Sequence, residues 1–135
     1  MEVPSDSEKY KVEKISFDSE LQQLKKVSAK TKYFTTDGAI VGEHNGAHYF
    51  TNGQRKGLAV GGTKEALFVI ATDVKENVIY TGQGKNHPGL YRSGLFIENE
   101  EIHWIRQDLS LKDTETLEVM ARIRYRQPLE EATLH

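Results

Sequence analysis

Three arginines sit at alternate positions near the end of the chain, Arg122, Arg124 and Arg126, with Tyr125 between the last two. On a strand, residues two apart share a face about 7 Å from one another. A ladder of planar, permanently charged forks at that spacing suits phosphate oxygens, which guanidinium groups bind bidentately. Tyr125 falls on the opposite face, though near a strand end it can swing round and stack on a base. A second reading fits the same spacing. The arginines would form the solvated exterior of a barrel, paired by Glu118 and other acids. Spacing leaves both open.

A second basic element lies in Thr51-Asn52-Gly53-Gln54-Arg55-Lys56-Gly57-Leu58, where two glycines bracket Gln54, Arg55 and Lys56. Arg and Lys are almost never fully buried without partners, so this loop is presented at the surface. Its backbone amides, with Arg55 and Lys56, would hold an anion. Equally, it is a structural turn in which Gln54 bonds its own backbone. The other candidates are weaker. Gly82-Gln83-Gly84 neither opens a helix nor completes a dinucleotide fingerprint, so it reads as a structural loop. His44 and His48 are four apart, but Asn45-Gly46-Ala47 between them signals a turn rather than a helix that would align them, so no metal site is expected. No nucleophile elbow and no phosphate-binding Gly-Lys-Ser/Thr is found, so no catalytic residue is assigned and the chain reads as a binding module.

These residues need elements to carry them. The chain has 135 residues, a net charge of -2 and no cysteine. That length makes one domain or two small ones. The charge means that any contact with nucleic acid comes from a local patch. The missing cysteines exclude disulfides, thiolate nucleophiles and persulfide carriers. No apolar run has the length of a membrane span and the N-terminus carries no secretory signal, so a cytoplasmic location without membrane partners is expected.

Residues 1 to about 16 read as a mobile lead-in or one edge strand. Asp18 is the expected N-cap of a helix of about ten residues, with Leu21, Leu24 and Val27 as its apolar stripe and Lys25 and Lys26 at its end. Thereafter the period becomes that of strands. A hairpin is expected around Asp37-Gly38 between Tyr33-Phe34 and Ile40-Val41, and a short strand at Ala47 to Phe50. Ala66 to Thr72 is the most apolar run and reads as a central strand, with a turn at Asp73 to Asn77 and Val78 to Thr81 pairing back. Further strands are expected at Gly94 to Ile97, Ile102 to Ile105 and, by unbroken alternation, Leu117 to Arg126. A last strand begins at Ala132 to Leu134, with no partner left before the chain ends. This predicts a mainly β (α+β) fold: short-stranded, barrel-like β modules after one N-terminal helix. The expected division is 1–31 as lead-in and helix, 32–106 as a central β domain, and 107–135 as the start of a barrel. Such an ending marks the chain as a piece of a longer protein.

Several motifs together form a recognisable pattern. Gly42-Glu43-His44-Asn45-Gly46, Tyr49 to Leu58 and Gly61-Gly62 are followed in order by Gly82-Gln83-Gly84, His87-Pro88, Leu90-Tyr91, Gly94-Leu95, His103-Trp104 and Ile123-Arg124-Tyr125-Arg126-Gln127. From about Asp37 to Gln127 the chain resembles the central domain and opening barrel of bacterial tRNA-specific 2-thiouridylases. The resemblance implies a parent enzyme that thiolates the wobble uridine of tRNA. An N-terminal domain adenylates the base with ATP, a cysteine persulfide supplies sulfur from a sulfur-relay protein, and the central domain and barrel grip the tRNA. It implies that Arg124 and Tyr125 contact tRNA. The sequence departs from the family in lacking the Ser-Gly-Gly-x-Asp-Ser ATP loop and both cysteines, and in carrying Asn52 where an apolar residue is usual. The chain is therefore expected to bind tRNA without cofactor and to be inactive alone. The alternative is an interaction module that links the catalytic domain to the barrel and touches RNA little.

Overall fold

The computed structural model describes residues 1–11, 19–112 and 114–135. The chain forms two compact units, Met1–Phe96 and Ile97–His135. The expected boundary, Arg106 to Thr114, falls inside the second.

The first unit is built on an antiparallel hairpin, β1 (Leu67–Asp73) and β2 (Val78–Gln83), with a bulge between Val69 and Ala71. The Asp73 carboxylate closes the turn by accepting from the amides of Lys75 and Glu76. The run is apolar on both faces because both are covered. On one, Val3, Ile70 and Tyr80 are buried with Tyr10, Tyr33 and Leu90 against them. On the other, Ala47, Val69 and Ile79 are buried under Phe50 and Leu58.

Both edges of the hairpin are also occupied. The segment Met1–Val3 lies parallel to β2, with Val3 N–H donating to Thr81 O and Thr81 N–H to Met1 O, at 2.8 and 2.7 Å. Glu2 pairs in turn with Ala39, antiparallel. Beside β1, Gly53 N–H donates to Val69 O and Val69 N–H to Gln54 O, at 2.6 and 2.9 Å. Neither edge offers a long row of unpaired amides to another chain.

A buried histidine ties the N-terminal segment to this frame. His87 is 2% exposed. Its Nδ1 accepts from Gly89 N–H at 3.1 Å, so Nε2 carries the proton and donates to Val3 O at 3.0 Å. Tyr10 meets the ring edge-on, 5.4 Å between centroids. The ring lies on Gly82, where a Cβ would come within 2.4 Å of it.

Helix α1 (Glu20–Ser28) begins on Ser19, whose Oγ accepts from Gln22 N–H. The expected cap, Asp18, lies outside the described residues. Lys25 and Lys26 close the helix, as its dipole favours.

Several expected strands do not form. Ala47–Tyr49 is a 3-10 turn, held by the Asn77 side chain accepting from Ala47 N–H at 2.9 Å. The edge of β1 that a strand there would need is taken by Gly53 and Gln54. Residues 33–41 make the expected turn, with Asp37 accepting from Phe34 N–H, but Ala39 pairs with Glu2 rather than with its own neighbours. The lead-in supplies the edge strand in Met1–Val3. Residues 94–97 and 102–105 are irregular, flanked by 3-10 turns at Asn99–Glu101 and Gln107–Leu109. Ile105 is 89% exposed, and among the described residues that apolar run pairs with no strand.

The second unit holds another hairpin, β3 (Leu117–Ala121) and β4 (Glu130–Leu134), paired from Leu117↔Leu134 to Ala121↔Glu130. The alternation is real within β3: Leu117, Val119 and Ala121 are half-buried and Glu118 and Met120 exposed. The last strand is not left without a partner, since it pairs back on β3. The described residues thus form a small mixed fold of one α-helix and two separate two-stranded ladders, with no closed barrel among them. Among them, no helix is long and apolar enough to cross a membrane.

Candidate nucleic-acid interface

The arginine ladder does not exist as expected. β3 stops at Ala121, and residues 122–129 form the loop that returns the chain to β4. Within it Arg124 to Gln127 is a turn. Gln127 N–H donates to Arg124 O at 3.0 Å, and the Gln127 side-chain oxygen accepts from Arg124 N–H, also at 3.0 Å. Pro128 follows at once. The apolar-polar alternation continues past Ala121 in sequence, but the backbone that would have carried it is spent on reversal.

The turn rearranges the candidate residues. Arg122, Arg124, Tyr125 and Arg126 are all exposed. Arg122 and Tyr125, expected on opposite faces, come together, with the guanidinium carbon 5.1 Å from the ring centroid. Glu118, the expected partner of the arginines, instead accepts from the Thr133 hydroxyl at 2.7 Å. Arg106 in the same unit is spoken for, forking onto Asp108 at 2.8 and 2.5 Å. Among the described residues no carboxylate forms an ion pair with Arg122 or Arg126. Glu130 and Glu131 at the start of β4 limit the positive field of the loop.

The Gly53–Gly57 loop, in the first unit, is closed by the same device. Gln54 N–H donates to Thr51 O at 2.9 Å and the Gln54 side-chain oxygen accepts from Thr51 N–H at 3.1 Å. The Gln54 amide also donates to Lys56 O at 2.9 Å. So Gln54 bonds its own backbone, as one of the two readings of the loop has it. Gly53 and Gly57 lie at φ of 80° and 88°, where a side chain would be strained. Arg55 and Lys56 project from this fixed frame and are exposed. Arg55 borders a shallow depression of about 270 Å³ shared with Leu58, Val60 and Thr63.

The histidines of the first unit act as packing groups. His44 Nδ1 accepts from Gly46 N–H, and its ring meets Phe50 edge-on. His48 lies against Tyr49. No cluster of three or more His, Asp or Glu disposed to hold a metal occurs among the described residues. The sequence reading missed His87 and the pairing of Arg122 with Tyr125. Pro128 is the signal for the second, because proline has no N–H to give a ladder and interrupts a strand.

Residues 21–83 match the family described as the tRNA methyl transferase PRC-barrel domain. The whole chain is 62% identical to a tRNA-specific 2-thiouridylase of Christiangramia forsetii, of which it covers 34%. Over 93% of its length it is 60% identical to the corresponding protein of Flavobacterium johnsoniae, covering 32% of it. Over 75% it is 43% identical to that of Halalkalibacterium halodurans, covering 26%. The chain spans about a third or less of the length of these curated relatives.

Proposed function

Because the chain belongs to the tRNA-specific 2-thiouridylase family, we propose that it is a tRNA-gripping portion of an enzyme that puts sulfur on the wobble uridine. The observation that carries this reading is the 62% identity to one such enzyme over all 135 residues of the chain. In the proposed role Arg124 and Tyr125 contact tRNA, with Arg122 and Arg126 beside them. The rigid loop of Gln54, Arg55 and Lys56 meets either RNA or a neighbouring domain of the parent. The β3–β4 hairpin supplies opening strands of the parent's barrel, and the exposed Ile102 and Ile105 face other parts of that protein.

The chemistry lies elsewhere in the parent. Sulfur transfer by persulfide needs a thiol, and this chain has no cysteine. Adenylation needs an ATP loop that the sequence does not contain. ATP, a persulfide donor and a sulfur-relay protein are thus requirements of the whole enzyme. The isolated chain, given tRNA, ATP and a sulfur donor, should form no 2-thiouridine by nucleoside mass spectrometry. Product formation would sink the assignment of a purely binding role.

The tRNA contact has a direct test. Arg124→Ala should weaken tRNA binding at low salt and flatten the plot of log affinity against log salt by about 0.7–0.9, the signature of one lost phosphate contact. An unchanged affinity and slope would remove Arg124 from the interface.

A further inference from the structure

The pairing of Arg122 with Tyr125 gives the loop a chemical preference that a ladder of arginines would not have. Tyr125 is 84% exposed, so its ring is accessible to a ligand. It is also not free to wander. The Arg124–Gln127 turn is closed by a main-chain and a side-chain hydrogen bond, which fixes the backbone carrying Tyr125. The Arg122 guanidinium lies over the ring at 5.1 Å. A cation on one face of a ring holds it and leaves the opposite face open.

We propose that this open face of Tyr125 is a stacking platform for one unpaired nucleobase, and that Arg122 positions the platform rather than binding phosphate. This deepens the tRNA-binding reading and rests on it. The flat, electron-rich ring face repels a phosphate but accepts the π-face of any base. Arg124 and Arg126, next to the ring in the same turn, are placed to meet the phosphates on either side of such a base. A stacking ring with basic neighbours is the arrangement that proteins use for single strands. In an A-form duplex the bases are stacked on each other and their faces are closed to protein. The loop therefore takes a single-stranded or looped-out segment of RNA in preference to a helix.

The test uses the full chain and a single-stranded RNA of roughly eight nucleotides carrying 2-aminopurine, free or annealed to its complement. The wild-type chain should bind the single strand more tightly and quench the 2-aminopurine. Tyr125→Ala should abolish the quenching and weaken binding by about 5- to 150-fold, leaving the salt slope unchanged. Tyr125→Phe should keep both. Arg122→Ala should weaken binding by roughly 2- to 5-fold, also without changing the slope, and should have no further effect in the Tyr125→Ala background. Equal affinity for single strand and duplex, or no loss of quenching in Tyr125→Ala, overturns the stacking site while Arg124→Ala still reports on RNA binding. A lower salt slope for Arg122→Ala, retained in the Tyr125→Ala background, makes Arg122 a phosphate contact and overturns its positioning role. Failure of the wild-type chain to bind either RNA overturns the binding reading and the platform with it.

Discussion

His87→Ala should cost about 3–5 kcal/mol, comparable to removing a buried aromatic ring, and should loosen the first unit as a whole. The ring fills space under Tyr10, and its two nitrogens serve Val3 O and Gly89 N–H. Without it a buried carbonyl loses its donor, which by itself costs about 1–3 kcal/mol. Against a typical domain stability of roughly 5–15 kcal/mol, that removes much of the margin. Urea denaturation followed through the amide signals of Val69 and Thr81 measures it. A loss below about 1 kcal/mol would show that the N-terminal segment is held without the histidine.

The same ring makes stability depend on pH, and the sign is fixed by its environment. Burial pushes the His87 pKa below its ordinary value, only partly opposed by the bond to Val3 O and the charge of Glu2. The ring also has its Nδ1 committed as an acceptor, so protonation breaks the bond from Gly89. Tyr10, packed on the ring, stays neutral because burial and the 3.2 Å hydrogen bond with the Tyr33 hydroxyl raise its pKa. The unfolded chain therefore takes up a proton before the folded one does. His87 contributes fully above the unfolded pKa of about 6.5, and its contribution falls as pH drops below it, by up to about 1.4 kcal/mol per unit. Stability of the wild-type chain should decline from about pH 7.5 to 5.5, and that part of the decline should vanish in His87→Ala. An identical pH profile for both would overturn it.

Gly82→Ala should be the second most damaging change, for a reason that involves the same ring. A methyl at Gly82 would sit 2.4 Å from His87 Cγ and 2.5 Å from Cδ2 and Nδ1. Strand β2 cannot retreat, because it is paired with β1 on one side and with Met1–Val3 on the other. The ring must leave, and overpacking of this kind costs about 1–3 kcal/mol or more. Since the clash is with His87 alone among the nearest atoms, Gly82→Ala should cost little in a His87→Ala background. The double-mutant cycle should return a coupling of about 1–3 kcal/mol. Simple additivity of the two losses would refute the contact.

What the sequence revealed of this fold follows from where the determining interactions lie. β1, β2 and their turn are written locally: Leu67 to Ala71 is an apolar run with Leu67, Val69 and Ile70 buried, and Asp73 binds its own turn. α1 is likewise local, and only its cap moved, to Ser19. The long alternation up to Arg126 misled because side-chain pattern is silent about where the backbone reverses. The turn is set by Gln127, whose role is the same as that of Gln54 in the other loop and of Asp37 after Phe34. In each, the side chain three residues on accepts from an amide that would otherwise serve a strand. Ala47 to Phe50 failed as a strand for a non-local reason: its sheet edge is taken by Gly53 and Gln54, and Asn77, far along the chain, caps it as a turn. His87 was legible only as part of a Gly-rich loop, since nothing local says that a residue 84 positions earlier will need its proton. The basic residues themselves were found from sequence. Their arrangement was not, because the Arg122–Tyr125 contact exists only once the turn has formed.

The place of Met1–Val3 beside β2 also sets an order of events during synthesis. This segment is made well before its neighbour, since the partner of Met1 O is Thr81, 80 residues later. At about 5–20 residues per second, the strand waits roughly 4–16 s for its neighbour to be made. The β1–β2 hairpin closes in microseconds once its residues emerge, so it forms before its edge is covered. Docking of Met1–Val3 is then a late step, and the interval before it is when the exposed edge of β2 is open to a wrong partner.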